Sequence, residues 1–463
     1  MFHRRKAYFL TNDAAAQRSR RMLEEPLNRV IPRLAVPTII SMLISSIYNM
    51  ADTYFVSQLG TSASGAVGVI FSAMSIIQAI AFMFGMGSGT NVSQALGARN
   101  EKLASQFVAT GFFSAFGAGI VIAVLGNLTI DPLVRFLGAT DTIAPYARDY
   151  AAYIFYGAPF MMCSLAMNNL LRFEGLATYG MIGITSGGLL NIVLDPLLIF
   201  GMNLGTAGAA IATAISQVVS FFILLLMTNH RASAISIQWK NFTPTRAIYK
   251  RMLSNGFPSL GRQGIASVST ILLNTTAGAW GDAAIAAMSI VSRYLMFINS
   301  SIIGFGQGFQ PVCGFCYGAG KYSRVRAAYY YCIKVGTVVL LVLGVISFIF
   351  AEPIVTLFRR DDLEVISIGT TALRLQLCSL PLWAFITLSN MCTQAMGLGM
   401  KATLISIARQ GIFLIPALLV LPRVFGLLGL QMAQPIADGC TAIFAWAIVA
   451  GIMQNLKTKP DKV

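Results

Sequence analysis

The sequence predicts an all-α polytopic membrane protein of about twelve transmembrane helices, set in two six-helix lobes related by a pseudo-two-fold axis along the membrane normal. Three observations carry that prediction. Of 463 residues, 56% are hydrophobic and 11% charged, whereas a soluble domain carries roughly 25% charged residues to cover itself in water. Apolar runs of about 20 residues recur along almost the whole chain, each able as a helix to cross ~30 Å of hydrocarbon. Landmarks of the first half also return in the second at an offset of 221 residues.

Residues 1–26 hold Arg4, Arg5, Lys6, Arg18, Arg20 and Arg21 without an apolar core. They read as a basic cytoplasmic segment lying on the membrane surface, not as a cleavable signal peptide. The N-terminal lobe is expected over 27–228, with spans near 34–56, 63–90, 104–126, 150–171, 177–202 and 206–228. A polar cytoplasmic linker, 229–250, leads to the C-terminal lobe over 251–454. Its spans fall near 252–277, 284–311, 328–350, 366–392, 402–421 and 428–454, and residues 455–463 form a cytoplasmic tail. The runs are too long, and too uniformly apolar, for the alternating strands of a β-barrel.

The formal net charge of +16 does not point to nucleic acid, because the basic residues gather in alternate loops. They occupy 1–33, then Arg99 and Lys102, then Arg172, then Arg231, Lys240, Arg246, Lys250 and Arg251. Lys321, Arg324 and Arg326 follow, then Lys401, then Lys457, Lys459 and Lys462. The intervening loops hold few, chiefly Arg135, Arg148, Arg359, Arg360 and Arg423. This positive-inside pattern places both termini in the cytoplasm.

The repeat pairs Pro37 with Pro258, Gly60 with Gly281, Gly87 with Gly308, and Gly97-Ala98 with Gly318-Ala319. Gly205 and Gly208 answer Gly426 and Gly429, while Gly175 falls opposite Gly397 after a one-residue slip. An even number of spans per half gives both halves the same orientation, a plan in which transporters hold substrate between two lobes. Gly85 and Gly89, Gly183 and Gly187, and Gly304 and Gly308 are small-residue pairs that let helix backbones approach closely in lipid.

An ionisable group inside a span costs at least ~2.5–3.5 kcal/mol, so each needs a partner or a function. The first half holds Asp52 and Asp195. Tyr48 lies four residues before Asp52, and Asn191 four before Asp195, so each pair shares a helix face. With Thr213 at comparable depth, these residues can form a polar pocket that takes up a proton or coordinates Na⁺ through oxygens; the alternative is helix capping and local hydrogen bonding. The second half reverses the balance: Arg262, Arg293, Arg374 and Arg409 fall within spans against a single acid, Asp438. Arginine keeps its proton, so these residues form either a charge network, with Asp438 paired to Arg409 or Arg374, or a cavity wall that contacts substrate. Cys313 and Cys316 form a CxxC without a second one or a histidine cluster, and their repeat equivalents are Val92 and Ala95, so they read as packing. His3 and His230 lie outside the spans, which leaves no histidine for intramembrane catalysis.

The stretches Asn49-Met-Ala-Asp52-Thr-Tyr-Phe-Val, Ser93-Gln-Ala-Leu-Gly97-Ala-Arg and Asn191-Ile-Val-Leu-Asp195-Pro196 resemble the multidrug and toxic compound extrusion (MATE) family. Gly304-Phe-Gly-Gln-Gly-Phe-Gln-Pro311, Arg409-Gln-Gly-Ile-Phe-Leu-Ile-Pro416 and Gln434-Pro-Ile-Ala-Asp438 resemble its bacterial branch, typified by the staphylococcal multidrug exporter. The resemblance implies a secondary active exporter, not an enzyme. Such a protein antiports bulky, often cationic, drugs or toxic metabolites against H⁺ or Na⁺ by alternating access. It implies no cofactor, and no metal beyond Na⁺ at Asp52 and Asp195. The family's cation-site pattern falls on Tyr48, Asp52, Asn191, Asp195, Thr213 and Asn168, and Pro37 matches a proline at which the first helix of some relatives bends. One departure is Arg262-Gln263, where some members carry a glutamate in the seventh span. The expected setting is a bacterial cytoplasmic membrane, with lipids around a monomer and no nucleic acid or nucleotide partner. A lipid-linked precursor flippase of the same superfamily is the alternative, and a membrane-embedded enzyme a more distant one. Flippases of that kind commonly have extra spans; a membrane enzyme would need clustered acids or histidines; an ATP-driven pump would need a Walker motif. The sequence offers none of these.

Overall fold

The computed structural model describes residues 16–229, 237–358 and 362–461. The expectations for His3, Arg4, Arg5, Lys6, His230, Arg231, Arg359, Arg360 and Lys462, and for linker positions 230–236, fall outside the described residues.

Helix dominates the described residues, and no strand occurs among them. Residues 16–24 form α1. The first lobe continues with α2 (Leu27–Ser57), α3 (Thr61–Gly97), α4 (Glu101–Leu128), the short α5 (Ile130–Phe136), α6 (Ala144–Phe173), α7 (Ala177–Pro196) and α8 (Gly205–Thr228). The second contains α9 (Arg246–Ala277), α10 (Asp282–Gly318), α11 (Tyr322–Ile349), the short α12 (Ala351–Phe358), α13 (Leu363–Cys378), α14 (Leu380–Ala395), α15 (Gly399–Ile407) and α16 (Leu414–Thr458). Polar side chains start several of them: Asn100 accepts from the Leu103 amide at 3.0 Å, and Asp362 from the Glu364 and Val365 amides at 3.1 and 3.2 Å.

Nine helical stretches among the described residues are long and apolar enough to cross a membrane, and α13 with α14, bent by 52° at Ser379, makes a tenth. α9 matches them in length but carries Asn255, Arg262, Gln263 and Asn274. The last stretch, 399–458, breaks at Gly426, where φ is 61° and ψ is −141°. Each of the twelve expected spans therefore has a helical counterpart. Pro37 lies inside an α2 that continues unbroken on both sides of it.

The repeat is visible in the backbone. Gly60 and Gly281 have φ of 111° and 86°, Gly175 and Gly397 of 88° and 78°, and Gly205 and Gly426 of 56° and 61°. These values lie where a Cβ is unfavourable, and the same breaks recur at equivalent points of both lobes. The lobe interface obeys the symmetry as well. A Cβ on Gly97 would run into the Phe315 carbonyl, and one on Gly318 into the Gln94 carbonyl, with both partners shifted by the repeat length. Gly314 faces its own equivalent, Ser93, so the pseudo-axis passes between them.

These contacts mark the closed end of the bundle, where α2 and α9 begin and α3 and α10 finish. There Gly87 meets the Met252 carbonyl, Gly256 meets the Met83 carbonyl, and Gly304 and Gly308 meet Ile39 and Ala35. Thr38 donates across the interface to the Gly304 carbonyl at 2.7 Å. At the same end α1 touches both lobes. Arg18 pairs with Glu174 at 3.5 Å, and the Met22 carbonyl accepts from Arg324 Nε at 3.1 Å. The described part of the linker packs Trp239 and Phe242 around Phe113 of α4, with ring centroids 4.6 and 5.7 Å away. Around the bundle, half-exposed apolar side chains such as Val338, Leu341, Val345 and Ile346 of α11 present the lipid-facing surface.

Candidate functional site

A cavity of about 210 Å³ opens between the lobes beyond the closed end. Tyr48, Asn168, Asn191 and Thr213 line it from the first lobe, and Arg262, Gln263 and Gln307 from the second. The Ser46 and Ser300 hydroxyls hydrogen-bond across the interface at 3.1 Å.

Asp195 is fully buried behind the first-lobe wall, in the final turn of α7. Pro196 withholds an amide there, and the chain passes into a wider π-type turn over Leu197–Gly201. Asn191, one helical turn earlier, donates to Asp195 Oδ1 at 3.2 Å and to Thr213 Oγ1 of α8 at 3.3 Å. Asp195 Oδ2 and Asn191 Oδ1 are buried without a hydrogen-bond partner. Asp52, on α2, accepts from the Tyr150 hydroxyl at 3.4 Å through Oδ2, and its Oδ1 is likewise buried and unpartnered. Tyr150 itself is fully buried and lies within electrostatic range of Asp52, Asp195 and Tyr48. The two carboxylates, Tyr48, Asn191 and Thr213 are thus brought into one neighbourhood around Tyr150, which sequence reasoning did not single out. Its only signal was a polar aromatic at the start of an apolar span. Asn168 lines the same cavity against Gly180, with no hydrogen bond to the carboxylates.

Oxygen-rich sites with unpaired acceptors suit a proton or a hard cation such as Na⁺. Among the described residues, no group of three or more His, Cys, Asp and Glu side chains is arranged to hold a metal ion.

The second lobe treats its acid differently. Asp438 is fully buried in α16. Its Oδ1 accepts from Arg409 Nε at 2.8 Å and Gln434 Nε2 at 3.0 Å, and its Oδ2 from Ser379 Oγ at 2.9 Å and Trp383 Nε1 at 2.6 Å. Arg409 is held in a π-type turn, Ala408–Phe413, with its guanidinium 4.3 Å from the Trp383 ring centroid. Arg293 and Arg374 do not join this network: both are exposed, and Arg374 lies over Phe348 at 5.6 Å. Arg262 also stands apart from it, on the cavity wall.

Arg172, grouped in the sequence with the loop cations, is in fact 1% exposed in the last turn of α6. Its neighbours at that helix end pack over it, so a charge next to a loop ends up inside the lobe. Cys313 and Cys316 are buried free thiols, Cys313 lying 3.8 Å from Cys392 and Cys316 against the Met22 carbonyl.

The MatE family profile matches residues 37–197 and 258–419, once in each half of the chain. The multidrug export protein MepA of Staphylococcus haemolyticus (strain JCSC1435) is 28% identical over 435 residues, covering 94% of this chain and 95% of the relative. MepA of Staphylococcus aureus (strain MSSA476) is 29% identical over 432 residues, covering 92% and 94%. Among solved structures, a MOP superfamily transporter from Pyrococcus furiosus superposes with a TM-score of 0.89 at 28% identity, covering 95% of this chain and 98% of that one. An outward-facing multidrug resistance MATE family transporter gives a TM-score of 0.89 at 28% identity, covering 94% and 98%.

Proposed function

The chain belongs to the MatE family and is a multidrug efflux transporter, not an enzyme; from that premise we propose that it exchanges bulky organic compounds for an inward-moving cation taken up at Asp52 and Asp195. The contrast between the carboxylates carries this reading. Asp438 is saturated by four donors, one of them the Arg409 guanidinium, so it has no free oxygen to offer an ion. Asp52 and Asp195 each keep one buried oxygen without a partner, close to Tyr48, Asn191 and Thr213. Buried acceptors of this kind are costly unless something else satisfies them during part of a working cycle.

The coupling ion is H⁺ or Na⁺, and the unpartnered oxygens of Asp52, Asp195 and Asn191 suit either. The two lobes rock as bodies joined by the 229–250 linker, so that the cavity faces alternate sides. The contacts at the closed end and the basic loops that flank it support an outward-facing arrangement, with both termini in the cytoplasm and the protein in a bacterial cytoplasmic membrane. A single chain with two lobes is a complete unit of this plan, which supports a monomer.

Substrate efflux from proteoliposomes under separately imposed H⁺ and Na⁺ gradients tests the proposal. Export should follow one of the two gradients. Export that follows neither, and proceeds only with ATP, would overturn it.

A further inference from the structure

We propose that the substrates of this exporter include small amphipathic compounds bearing a carboxylate, which Arg262 binds on the second-lobe wall of the cavity. The inference rests on the export reading above and adds the chemical class of the cargo.

Arg262 is the one charged side chain among the residues lining the cavity. Asp52 and Asp195 do not line it; Asp195 lies behind Asn191 and Thr213. Arg262 sits within the span formed by α9, and arginine keeps its proton in such surroundings. Among the described residues no carboxylate stands within ion-pair distance of it, and the intramembrane pair that does form, Arg409 with Asp438, is closed on itself.

A second cation deepens the imbalance. Arg172 lies within electrostatic range of Arg262 and is almost wholly buried. Its Nη2 donates to Asn169 Oδ1 at 2.7 Å and contacts Met86 Sδ at 2.8 Å, while Nε and Nη1 have no partner. Two positive charges with no counter-charge among the described residues favour an anionic visitor and disfavour a cation beside them.

The remaining wall fits an amphipathic anion. Gln78, Gln263 and Gln307 carry amide N–H donors, and Met42, Met296 and Phe82 supply adaptable apolar surface for the body of the compound. A guanidinium offers a carboxylate two parallel hydrogen bonds in the geometry of a fork. A cavity of about 210 Å³ accommodates a small organic anion but not the paired acyl chains of a phospholipid.

The test uses two probes with the same fluorescent aromatic body, one bearing a carboxylate and the other a primary ammonium group, with the full chain in nanodiscs of neutral lipid. Wild type should bind the carboxylate form at least tenfold more tightly, about 1.4 kcal/mol. Arg262→Gln should shift the affinity ratio toward the ammonium form by tenfold or more, with Arg262→Lys between the two. A wild-type preference for the ammonium form overturns the proposal, whether or not the variants fold. So does an equal loss of both probes in a folded Arg262→Gln protein. Displacement of the carboxylate probe by anionic phospholipid, as effective as by unlabelled carboxylate, overturns it by assigning the site to lipid. Gradient-driven export of the ammonium probe without binding of the carboxylate probe removes this inference and leaves the export reading standing. Tight carboxylate binding without gradient-driven export of either probe does the reverse.

Discussion

Arg409 donates to Asp438 at 2.8 Å inside the second lobe, and the same carboxylate holds Ser379 at the point where α13 bends into α14. The pair does more than neutralise two charges. It ties α16 to the bend of a broken span and presses the guanidinium against Trp383. Removing one partner leaves the other charge buried, which typically costs about 3–5 kcal/mol.

Asp438→Ala is therefore predicted to lower stability by about 3–5 kcal/mol, with a smaller effect on substrate choice. Joint replacement, Asp438→Leu with Arg409→Met, should recover a large part of the loss because no orphaned charge remains. Thermal melting of the purified proteins checks this. A fully stable Asp438→Ala protein with an altered substrate range would move the residue from the scaffold to the binding site.

Much of this fold is legible in the sequence because membrane spans announce themselves by length and apolarity, and the repeat is carried by glycines that the backbone requires. Gly97 and Gly318 recur because each must let a carbonyl of the other lobe approach closely. The neighbours Asn191 and Asp195 were equally readable, being one turn apart on a single helix. What the sequence hides is the contact between helices. Tyr150 meets Asp52 from a different span, and Ser379 and Trp383 reach Asp438 from a separate one. Nothing in their local patterns separates them from other polar or aromatic residues of apolar helices. Arg374 and Arg409 look alike in sequence, yet helix rotation exposes one and buries most of the other.

The symmetric contacts at the closed end yield a conformational prediction. A methyl group added at Gly97 or Gly318 cannot be accommodated without moving a backbone carbonyl of the other lobe. Gly97→Ala with Gly318→Ala should separate the lobes there and shift the population away from this arrangement. Spin labels at Lys102 and Lys401, exposed at that end on opposite lobes, should report a longer mean distance than in wild type. An unchanged distance distribution would mean that these contacts do not hold the lobes together.

α1 supplies a further prediction. Arg324 of the second lobe donates to the carbonyls of Met22 and Glu25, while Arg18 of α1 pairs with Glu174 of the first. Charge-assisted hydrogen bonds of this kind contribute about 1.5–3 kcal/mol each. Arg324→Ala should loosen residues 16–24, read as faster amide exchange there with little change in α3 or α10. Equal protection in both proteins would assign the anchoring of α1 to the Arg18–Glu174 pair and the buried Met22 side chain.

Asp195 carries the sharpest prediction. It is fully buried, receives one hydrogen bond from Asn191 at 3.2 Å, and keeps Oδ2 without a partner. Asp52 shares the neighbourhood through Tyr150, so a cation arriving there meets two carboxylates and the oxygen-bearing side chains of Tyr48, Tyr150, Asn191 and Thr213. Coupling between ion and substrate requires that occupancy of this site change the balance between the two faces of the transporter, and such coupling is reciprocal. Asp195→Asn keeps the shape and a hydrogen-bonding amide while removing the charge that attracts the ion. The variant should fold with a melting temperature near wild type and still bind substrate. Its gradient-driven export should fall by at least tenfold, about 1.4 kcal/mol in the barrier to transport. Wild-type and variant rates, measured in proteoliposomes across a range of imposed H⁺ and Na⁺ gradients, decide the matter. If Asp195→Asn exports at the wild-type rate with the same gradient dependence, Asp195 is a structural residue and the cation site lies elsewhere.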